Sequence, residues 1–463
     1  MKILLVLPAA NHLRITHKKA DVPSRAMLRF SILPLTTVAA LTSAEHSVQI
    51  CDENVEPLDL HADVDLVGVS FMTALAPRAY EIARAFRERG KITVAGGYHP
   101  TFLPEEAGRH FDSVVVGDAE GTWPTLLNDA QRGELQRVYR YDTPPMLALA
   151  PTPRRDLMRK TARYYITTNA VQTGRGCRHG CKYCSVTAFH KQIYRSRPIE
   201  DVIDELTQME RNLIFVDDNI IADPKYARRL FESMIPLKKR WVSQCSLKVA
   251  DDPELLRLAF DSGCRGLFIG IESISKRNLA SVGKGFNYTR RFMERIRRIR
   301  KQGIGIIAGM IVGMDGDDVD VFERTLRFLQ KTQIDALQLN ILTPLPGTPL
   351  FDEFKDARRI IDHDWSHYDF RHVVIRPAQM SPRELQDGAD WLYNRFYRLD
   401  RVIMRVARTL FTAGPTPAYL ALKLNLTYRY DNKREGIVGR NPARAGTQFS
   451  SLLHQGASLL KAL

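Results

Sequence analysis

Cysteine is scarce in this chain. The 463 residues contain six, Cys51, Cys177, Cys181, Cys184, Cys245 and Cys264, and three of these fall within one eight-residue stretch. That is the spacing of a metal site and not of a secreted disulfide framework. Long apolar segments are missing too. No run of 18 uncharged apolar residues occurs, so no membrane-spanning helix is expected. There is no internal repeat and no low-complexity block, which excludes solenoids, collagens and disordered tails. Aromatic residues make up 9% and form no interleaved platform of the RNA-binding type. Acidic residues are outnumbered, 52 against 67 Lys/Arg, for a net charge of +15. The excess is uneven, because residues 401–463 hold ten Lys/Arg and only two Asp/Glu. A basic balance suits nucleic acid, an acidic membrane surface or an anionic substrate, and composition does not choose among them.

What is present reads as a globular α/β protein. Hydrophobic residues at 44% and charged residues at 26% are ordinary for packed domains, and the length suits two to four of them. The start, Lys2–Pro8, resembles a signal peptide only superficially. Its apolar stretch is short and Asn11-His12-Leu13-Arg14 follows, so it reads as a buried first strand of a cytoplasmic protein. Further strands are expected at Ser47–Cys51, Asp65–Ser70, Ile92–Ala95 and Ser113–Val116, with a helix at Pro77–Glu88. This alternation predicts an open, Rossmann-like parallel sheet over residues 1–142. Such sheets bind ligands beyond the carboxyl ends of their strands. The strand-end loops there are rich in small and polar residues: Ser70, Thr73, Gly96, Gly97, His99, Thr101, Gly117, Glu120 and Gly121.

Residues 143–163, with Pro144, Pro145, Pro151 and Pro153, read as a linker. A second α/β pattern spans 164–360. Its strands are expected at Tyr165–Gln172, Ile214–Asp217, Val242–Val249, Gly266–Ile271, Ile304–Val312 and Ala336–Leu342. Helices are expected at Pro198–Met209, Pro253–Asp261, Arg290–Gln302 and Val319–Lys331. Six βα units predict a partial (β/α)6 barrel rather than a closed eight-stranded one. Residues 361–463 read as a helical, basic C-terminal region.

The chemistry concentrates in Cys177-x3-Cys181-x2-Cys184, set among Gly174, Gly176 and Gly180. Three thiolates on one tight loop suit three irons of a four-iron cluster, with the fourth iron left open. Zinc is the alternative, with His179 or His190 as a fourth ligand, in a zinc-stabilised nucleic-acid-binding protein.

The cysteine spacing, with Tyr183 just before the third thiol, resembles the radical S-adenosylmethionine (radical SAM) superfamily. Later strand ends extend the likeness over about residues 160–355. Phe215-Val216-Asp217-Asp218-Asn219 stands where the family binds the SAM amino group, which implies Asp217 or Asp218. Gly270-Ile271-Glu272-Ser273 stands where ribose or carboxylate contacts sit, implying Glu272 and Ser273. Gly309-x-Ile311-x-Gly313, with Asp315 following, stands along the adenine, and Leu342 belongs to the sixth-strand segment that runs into Pro344-Leu345-Pro346-Gly347-Thr348-Pro349. The resemblance thus implies a 4Fe–4S cluster on Cys177, Cys181 and Cys184. It also implies SAM bound by the residues above, with Tyr183.

The N-terminal half resembles the cobalamin-binding domain that precedes many such barrels, through Gly96-Gly97-Tyr98-His99-Pro100-Thr101 and Gly117-Asp118-Ala119-Glu120-Gly121-Thr122. The Asp-x-His-x-x-Gly cobalt-ligand motif is missing, so the resemblance implies cobalamin without a histidine on cobalt, and His99 as a residue that sets the turn. Cobalamin contacts are then expected from Ser70, Thr73, Gly96, Gly97, His99, Thr101, Gly117, Glu120, Gly121 and Thr122.

The function this implies is reductive cleavage of SAM and modification of an unactivated carbon of a small-molecule, lipid or pigment substrate. Methylation is the leading expectation; oxidation, cyclisation and ring contraction are the alternatives. A methylthiotransferase is rejected, because its second cysteine trio is absent. An electron donor such as a flavodoxin or ferredoxin is implied, and no nucleic acid. The stretch Leu399–Tyr430 interleaves apolar and basic residues. It is expected to be a helical cap over the open side of the barrel, with a peripheral membrane contact as the alternative. The titratable run Asp362–Asp369 reads as a solvated turn or a substrate-pocket wall, and Cys51, Cys245 and Cys264 as buried, inert thiols.

Overall fold

The computed structural model describes residues 1–10, 32–141, 143–287 and 291–434. The Asn11–Arg14 reading and the end of the basic C-terminal region from residue 435 lie outside the described residues.

The N-terminal domain runs β1 (Lys2–Leu7), α1 (Leu33–Ala40), β2 (Ser47–Asp52), β3 (Leu66–Ser70), α2 (Ala76–Arg87), β4 (Ile92–Gly96), α3 (Tyr98–Phe102), α4 (Pro104–His110), β5 (Ser113–Val116), α5 (Trp123–Arg132) and β6 (Val138–Arg140). The strands form one parallel sheet in the order β2-β1-β3-β4-β5-β6. Side chains alternate across it, as the period-2 geometry of a strand requires. Leu4 and Val6 enter the core beneath α2, with Ile82 and Phe86. Ile3 and Leu5 enter the opposite core with α1 and α5, through Leu35, Trp123 and Leu126. Because both faces are covered, the strands read as continuous apolar runs. β6 was not expected; its three residues expose Val138 and Arg140 and bury only Tyr139, so no apolar run betrays it. Strand order reverses between β1 and β3, which opens a crevice above their carboxyl ends.

The proline-rich connection does not run free. Met158 and Tyr165 are buried in the N-terminal core, and the Tyr165 hydroxyl donates to Asp52 at 2.9 Å.

The second domain contains β7 (Ala170–Val171), β8 (Gly174–Arg175), α6 (Ser185–Phe189), β9 (Arg195–Ser196), α7 (Ile199–Thr207), β10 (Asn212–Phe215), α8 (Pro224–Met234), β11 (Arg240–Cys245), α9 (Pro253–Asp261), β12 (Cys264–Glu272), α10 (Lys276–Ser281), α11 (Phe292–Lys301), β13 (Gly305–Val312), α12 (Val321–Thr332), β14 (Ala336–Ile341) and α13 (Pro349–Asp356). Six parallel strands, in the order β7-β10-β11-β12-β13-β14, make the expected partial barrel. β8 and β9 form a separate antiparallel pair beside it. Two strands are shorter than their apolar patterns. β7 pairs only at Ala170 and Val171, because Thr167 and Asn169 side chains donate to the Asn212 carbonyl before it. β11 ends at Cys245, where Asn219 accepts from the Ser246 amide and the Ser246 hydroxyl caps a following 3-10 turn.

The C-terminal helices are α14 (Pro382–Phe396), α15 (Leu399–Ala413) and α16 (Pro415–Arg434). α14 covers the open edge of β14, where the Tyr397 hydroxyl donates to the Leu337 carbonyl at 2.6 Å and accepts from its amide at 2.9 Å. An edge strand is thereby closed to further pairing. α15 and α16 sit elsewhere than expected. They pack under the amino ends of β12–β14, where Leu420 meets Gly266 and Pro417 meets Gly305, and so close the floor of the barrel rather than its side. Their anchor is Asp335, buried just before β14. It accepts from Arg300 at 2.6 Å, from the Ile306 amide at 2.7 Å, and from the Thr409 hydroxyl of α15. No described helix is long and apolar enough to cross a membrane.

Asp335→Ala should cost about 3–5 kcal/mol, since it strands the buried Arg300 guanidinium. Urea denaturation of the purified protein checks this; a loss under about 1 kcal/mol would show that the floor does not depend on this ion pair.

Candidate functional site

The site lies above the carboxyl ends of the barrel strands, and carboxylates pin its loops. Asp217, wholly buried past β10, accepts from the Thr173 hydroxyl at 2.6 Å and the Gly174 amide at 2.7 Å. It therefore fixes the chain as it leaves β7 and is fully occupied in doing so. Asp218 accepts from the Gly176 amide at 3.0 Å. Gly176 has φ 88°, and a Cβ there would lie 2.1 Å from the Ile193 carbonyl, so this position of the loop requires glycine. The cysteine loop is held from above by two backbone bonds, Lys182 amide to Val282 carbonyl at 3.0 Å and Leu350 amide to Lys182 carbonyl at 3.1 Å.

Cys181 is buried, and Cys177 and Cys184 are partly exposed. Desolvation raises Cys177 and pushes Cys181 up to about 12, so without a metal these are neutral thiols and binding one releases protons. Cys177 follows Gly176, whose amide Asp218 holds, and the Lys284 ammonium lies 6.0 Å from the ring of Tyr183, next to Cys184. Among the described residues, no three His, Cys, Asp or Glu side chains are placed to hold a single metal ion. His190 bonds to Arg195 at 3.1 Å, and His179 stacks on Phe286 at 3.9 Å.

Lys284 was not anticipated, although its setting, Gly283-Lys284-Gly285, marks a tight turn. Its ammonium donates to Glu272 at 2.5 Å. Burial opposes the charge, but the Glu272 carboxylate outweighs it and holds the ammonium above the ordinary lysine value. Glu272 has φ 65°, an uncommon conformation for a residue with a side chain, at a bulge in the β12–β13 register. The Tyr183 ring lies beside the pair, 6.0 Å from the Lys284 ammonium, and its burial raises the phenol above its ordinary value. Gly270 leaves room for the pair, since a Cβ there would meet Glu272 at 2.3 Å. Ser273 is buried, and its hydroxyl accepts from the Ser275 amide at 3.1 Å, so it serves the turn. Tyr183, Ile311 and Leu342 share one apolar cluster with Met314, and Gly309 lies against Phe268 and Gly270.

Asp315 is not brought to this cluster. Its side chain is 53% exposed and ion-paired to Arg359 at 2.6 Å. The buried carboxylate of this turn is Asp317, which accepts from the Gly313 amide at 3.0 Å and from Asn278 at 2.6 Å. Gly313 itself lies beneath Leu385 of α14. The sequence signal was an acid two residues further along a glycine turn.

In the N-terminal domain, Gly97 has φ 101° and approaches the Phe71 backbone so closely that a Cβ would lie 2.8 Å from its carbonyl. Ser70 ends β3 beside it. At Gly96 a Cβ would meet nothing within 4 Å, so the carboxyl end of β4 opens onto free space. His99 is wholly buried. Its ring bonds to the Tyr80 hydroxyl at 3.0 Å and to Thr73 at 3.3 Å. Both nitrogens are engaged, so His99 and Thr73 set the turn and do not face a ligand. The network continues through Glu106 to Trp365, whose indole donates to Glu106 at 2.8 Å. Thr101 accepts from the Gly117 amide at 3.0 Å. The Tyr141 ring covers Gly117 and Gly121, where a Cβ would collide or touch it. The Thr122 hydroxyl is buried without a partner among the described residues.

Glu120 is turned to another task. With Asp118 it faces two arginines of the barrel domain: Arg175 donates to Glu120 at 2.6 Å and to Asp118 at 3.1 Å, and Arg195 donates to Asp118 at 2.6 Å. These groups are nearly buried, and the arginines hold the Asp118 carboxyl below its usual value against desolvation. Arg175 stands two residues before Cys177, so the turn after β5 is bolted to the cysteine loop. Tyr98 lies at the junction, where burial first, and then the charges of Asp218 and Asp118, raise its phenol.

The residues fit the implied cofactors. Three thiols with no competing ligand among them suit a cluster that leaves one iron open. Asp218 and Lys284 flank them with opposite charges, which complements a bound amino acid's ammonium and carboxylate. The open space at Gly96 and the orphaned Thr122 hydroxyl suit a large polar ligand over the N-terminal sheet.

Asp217 carries a pH signature. Burial raises its carboxyl to about 7 from 3.8, against the hydrogen bonds from Thr173 and Gly174. Between those values the folded state keeps a proton that the unfolded chain has lost, so stability falls as pH rises from about 4 to 7. Asp217→Asn should remove that slope from the urea midpoint of the apoprotein; an unchanged slope assigns it elsewhere. For SAM affinity of the reconstituted protein, measured by equilibrium dialysis, Asp315→Ala should have no effect. Lys284→Gln should weaken binding by roughly tenfold to a hundredfold, the worth of a hydrogen bond to a charged group.

Comparison with known proteins bears directly on this arrangement. Residues 171–329 match the radical SAM superfamily, and residues 31–127 match the B12 binding domain. The chain is 32% identical over 386 residues to bacteriochlorophyllide d C-12(1)-methyltransferase of Chlorobaculum tepidum, across 81% of this chain and 84% of that one. It is 28% identical over 355 residues to hopanoid C-2 methylase of Rhodopseudomonas palustris, across 73% and 67% of the two chains. The structure of the cobalamin-dependent S-adenosylmethionine radical enzyme OxsB, with aqua-cobalamin and S-adenosylmethionine bound, matches with a TM-score of 0.63 at 15% identity, over 100% of this chain and 83% of that one. At that identity the likeness is one of fold. A 4Fe–4S cluster and SAM come with the first domain and cobalamin with the second, which sets aside the zinc-stabilised nucleic-acid-binding reading. With both domains matched in this order, and a relative above 30% identity along most of its length, the chain belongs to the radical SAM superfamily, in the branch that joins the barrel to a cobalamin-binding domain.

Proposed function

We propose that this protein is a C-methyltransferase that transfers a methyl group to an unactivated carbon of a small, largely apolar molecule. The observation that carries the reading is the clamp of Arg175 and Arg195 on Asp118 and Glu120, which holds the cobalamin turn against the cysteine loop. Its relatives named as methylases of pigments and hopanoids support the same reading.

When bound, the cluster, SAM and cobalamin supply an electron, a hydrogen-abstracting 5′-deoxyadenosyl group and a methyl carrier respectively. The chain's own work is placement. Cys177, Cys181 and Cys184 would hold the cluster. Asp218 would receive the ammonium of SAM and Lys284 its carboxylate, with Glu272 keeping Lys284 charged and aimed. Gly309, Ile311, Leu342 and the Tyr183 ring would form the floor under the adenine. Ser70, Gly96, Gly97, Thr101 and Thr122 would line the cobalamin crevice. Tyr98, at the junction of the two, would face the substrate. Asp217 and Asp317 hold the loops so that water is kept out of this space.

The run Asp362–Asp369 is a partly exposed turn braced by His–Asp pairs. His367 pairs with Asp362 at 2.7 Å and His372 with Asp369 at 2.9 Å, and the Asp369 carboxylate holds His372 above its ordinary value. A flavodoxin- or ferredoxin-type protein is the proposed electron donor. Such proteins are acidic, and a chain of net charge +15 attracts them.

Anaerobic purification from cells supplied with hydroxocobalamin should give about four irons and about one cobalt per chain. Methyl transfer should then release 5′-deoxyadenosine and S-adenosylhomocysteine in equal amounts with a methylated product. Deoxyadenosine without S-adenosylhomocysteine would instead indicate oxidation or cyclisation. Cys181→Ala should abolish the cluster absorbance and both products; deoxyadenosine formation in that variant would reject the cluster assignment.

A further inference from the structure

α15 carries apolar side chains on its solvent side as well as on its barrel side. Inward, Val402 is buried in the core and Val406 packs against it, and polar bonds join them. Thr409 donates to Asp335, and Arg405 donates to Asn425 and to the Phe396 carbonyl while lying over the Phe396 ring at 3.6 Å. Its outward side is apolar. Leu399, Ile403 and Leu410 follow one another at helical spacing, and Met404 and Phe411 widen the stripe; Ile403 is 60% exposed and Phe411 87%.

The border of the stripe is cationic. Arg401 and Arg408 run along one side of it. With Arg395 and Arg405 they line a cleft of about 80 Å³ between α12, α14 and α15, and Met404 stands at its mouth. Among the described residues no carboxylate pairs with Arg395 or Arg408; Asp400 pairs with Arg398 at 3.0 Å and more distantly with Arg401 at 3.9 Å. On α16, Tyr419 is exposed with the Lys423 ammonium over its ring at 5.1 Å.

We infer that this floor of the barrel docks on an anionic lipid bilayer, with the α15 stripe entering the acyl boundary and the arginine cleft receiving lipid phosphates. Charge decides among the occupants. A second copy of the chain would bring Arg395, Arg401 and Arg408 against themselves. The segment 435–463 would bring three further Lys/Arg and one acid to the same border. An anionic surface satisfies the guanidinium groups and covers the stripe at once. Docked so, the cysteine loop at the opposite end of the strands faces away from the bilayer, and substrate does not enter through the docked face.

The test sediments the full-length, cofactor-loaded protein with vesicles of phosphatidylcholine alone or with roughly one-third phosphatidylglycerol. Protein should sediment with the anionic vesicles only, and high salt should weaken the association. The double variant I403S/F411S should lower partitioning about tenfold. The variant R401Q/R408Q should lower it about thirtyfold, as expected for two cations at a charged surface. All four side chains are at the surface, so unchanged thermal melting confirms that the variants fold. Wild-type protein that stays with the supernatant overturns the inference, as do variants that bind like wild type. A dimer in sedimentation velocity that I403S/F411S dissolves, without vesicle binding, assigns the face to self-association instead.

Discussion

The two domains are locked by a buried cluster of four charges, Arg175 and Arg195 on one side and Asp118 and Glu120 on the other. Groups so far from water hold their charge only in each other's company. Losing one leaves its partner stranded, at a cost well above that of a surface ion pair. The location matters more than the strength. Asp118 and Glu120 lie in the turn that follows β5, at the mouth of the cobalamin crevice. Arg175 lies two residues before the first cysteine. The clamp converts two separately folded sheets into a single frame with a fixed gap between their carboxyl ends, and the Tyr98 and Phe189 rings meet across that gap at 4.8 Å, tilted by 47°. A reaction that passes a group between two cofactors needs that gap constant to a fraction of an ångström.

The same device recurs on a smaller scale around the barrel mouth. Asp217 holds the exit of β7, Asp218 the glycine turn before Cys177, Asp317 the exit of β13, and Glu272 the ammonium of Lys284. In each case a carboxylate accepts hydrogen bonds that the loop would otherwise give to water. The burial that makes these bonds rigid also raises the carboxyls of Asp217, Asp218 and Asp317. The rim is therefore stiff and poor in water, which suits chemistry on a reactive carbon centre.

Much of this was legible from residue order alone, for identifiable reasons. The strands of both sheets are buried on both faces, so they stand out as apolar runs, and the cysteine loop is a short motif whose chemistry lies in its spacing. Legibility stopped where function depends on pairing across long sequence distance. Glu120 reads as a ligand contact in a glycine turn, and only the fold brings Arg175, 55 residues away, against it. Asp315 and Asp317 are equivalent in the sequence; the turn at Gly313 sends one to the surface and the other inside. Lys284 looks like any loop lysine until β12 delivers Glu272 beside it. β6 was hidden because two of its three residues are exposed, and the truncation of β7 because the Thr167 and Asn169 side chains take the place of backbone partners.

The C-terminal helices extend the contrast to the other end of the barrel. A helix that only plugs a floor would turn its apolar side inward, where burial stabilises it by about 25 cal/mol per Å². α15 does bury Val402, but it also commits Thr409 to Asp335, and Arg405 to Asn425 and the Phe396 carbonyl. Those polar bonds are directional, and they fix the helix in rotation about its own axis more sharply than apolar packing does. The outward stripe is thus held toward solvent by the network beneath it, since rolling α15 to bury Phe411 would break the bonds to Asp335. Arg401 and Arg408, part of a basic excess that composition alone could assign to no partner, border that stripe on one side. Apolar surface turned outward and bordered by guanidinium groups matches the boundary between lipid headgroups and acyl chains.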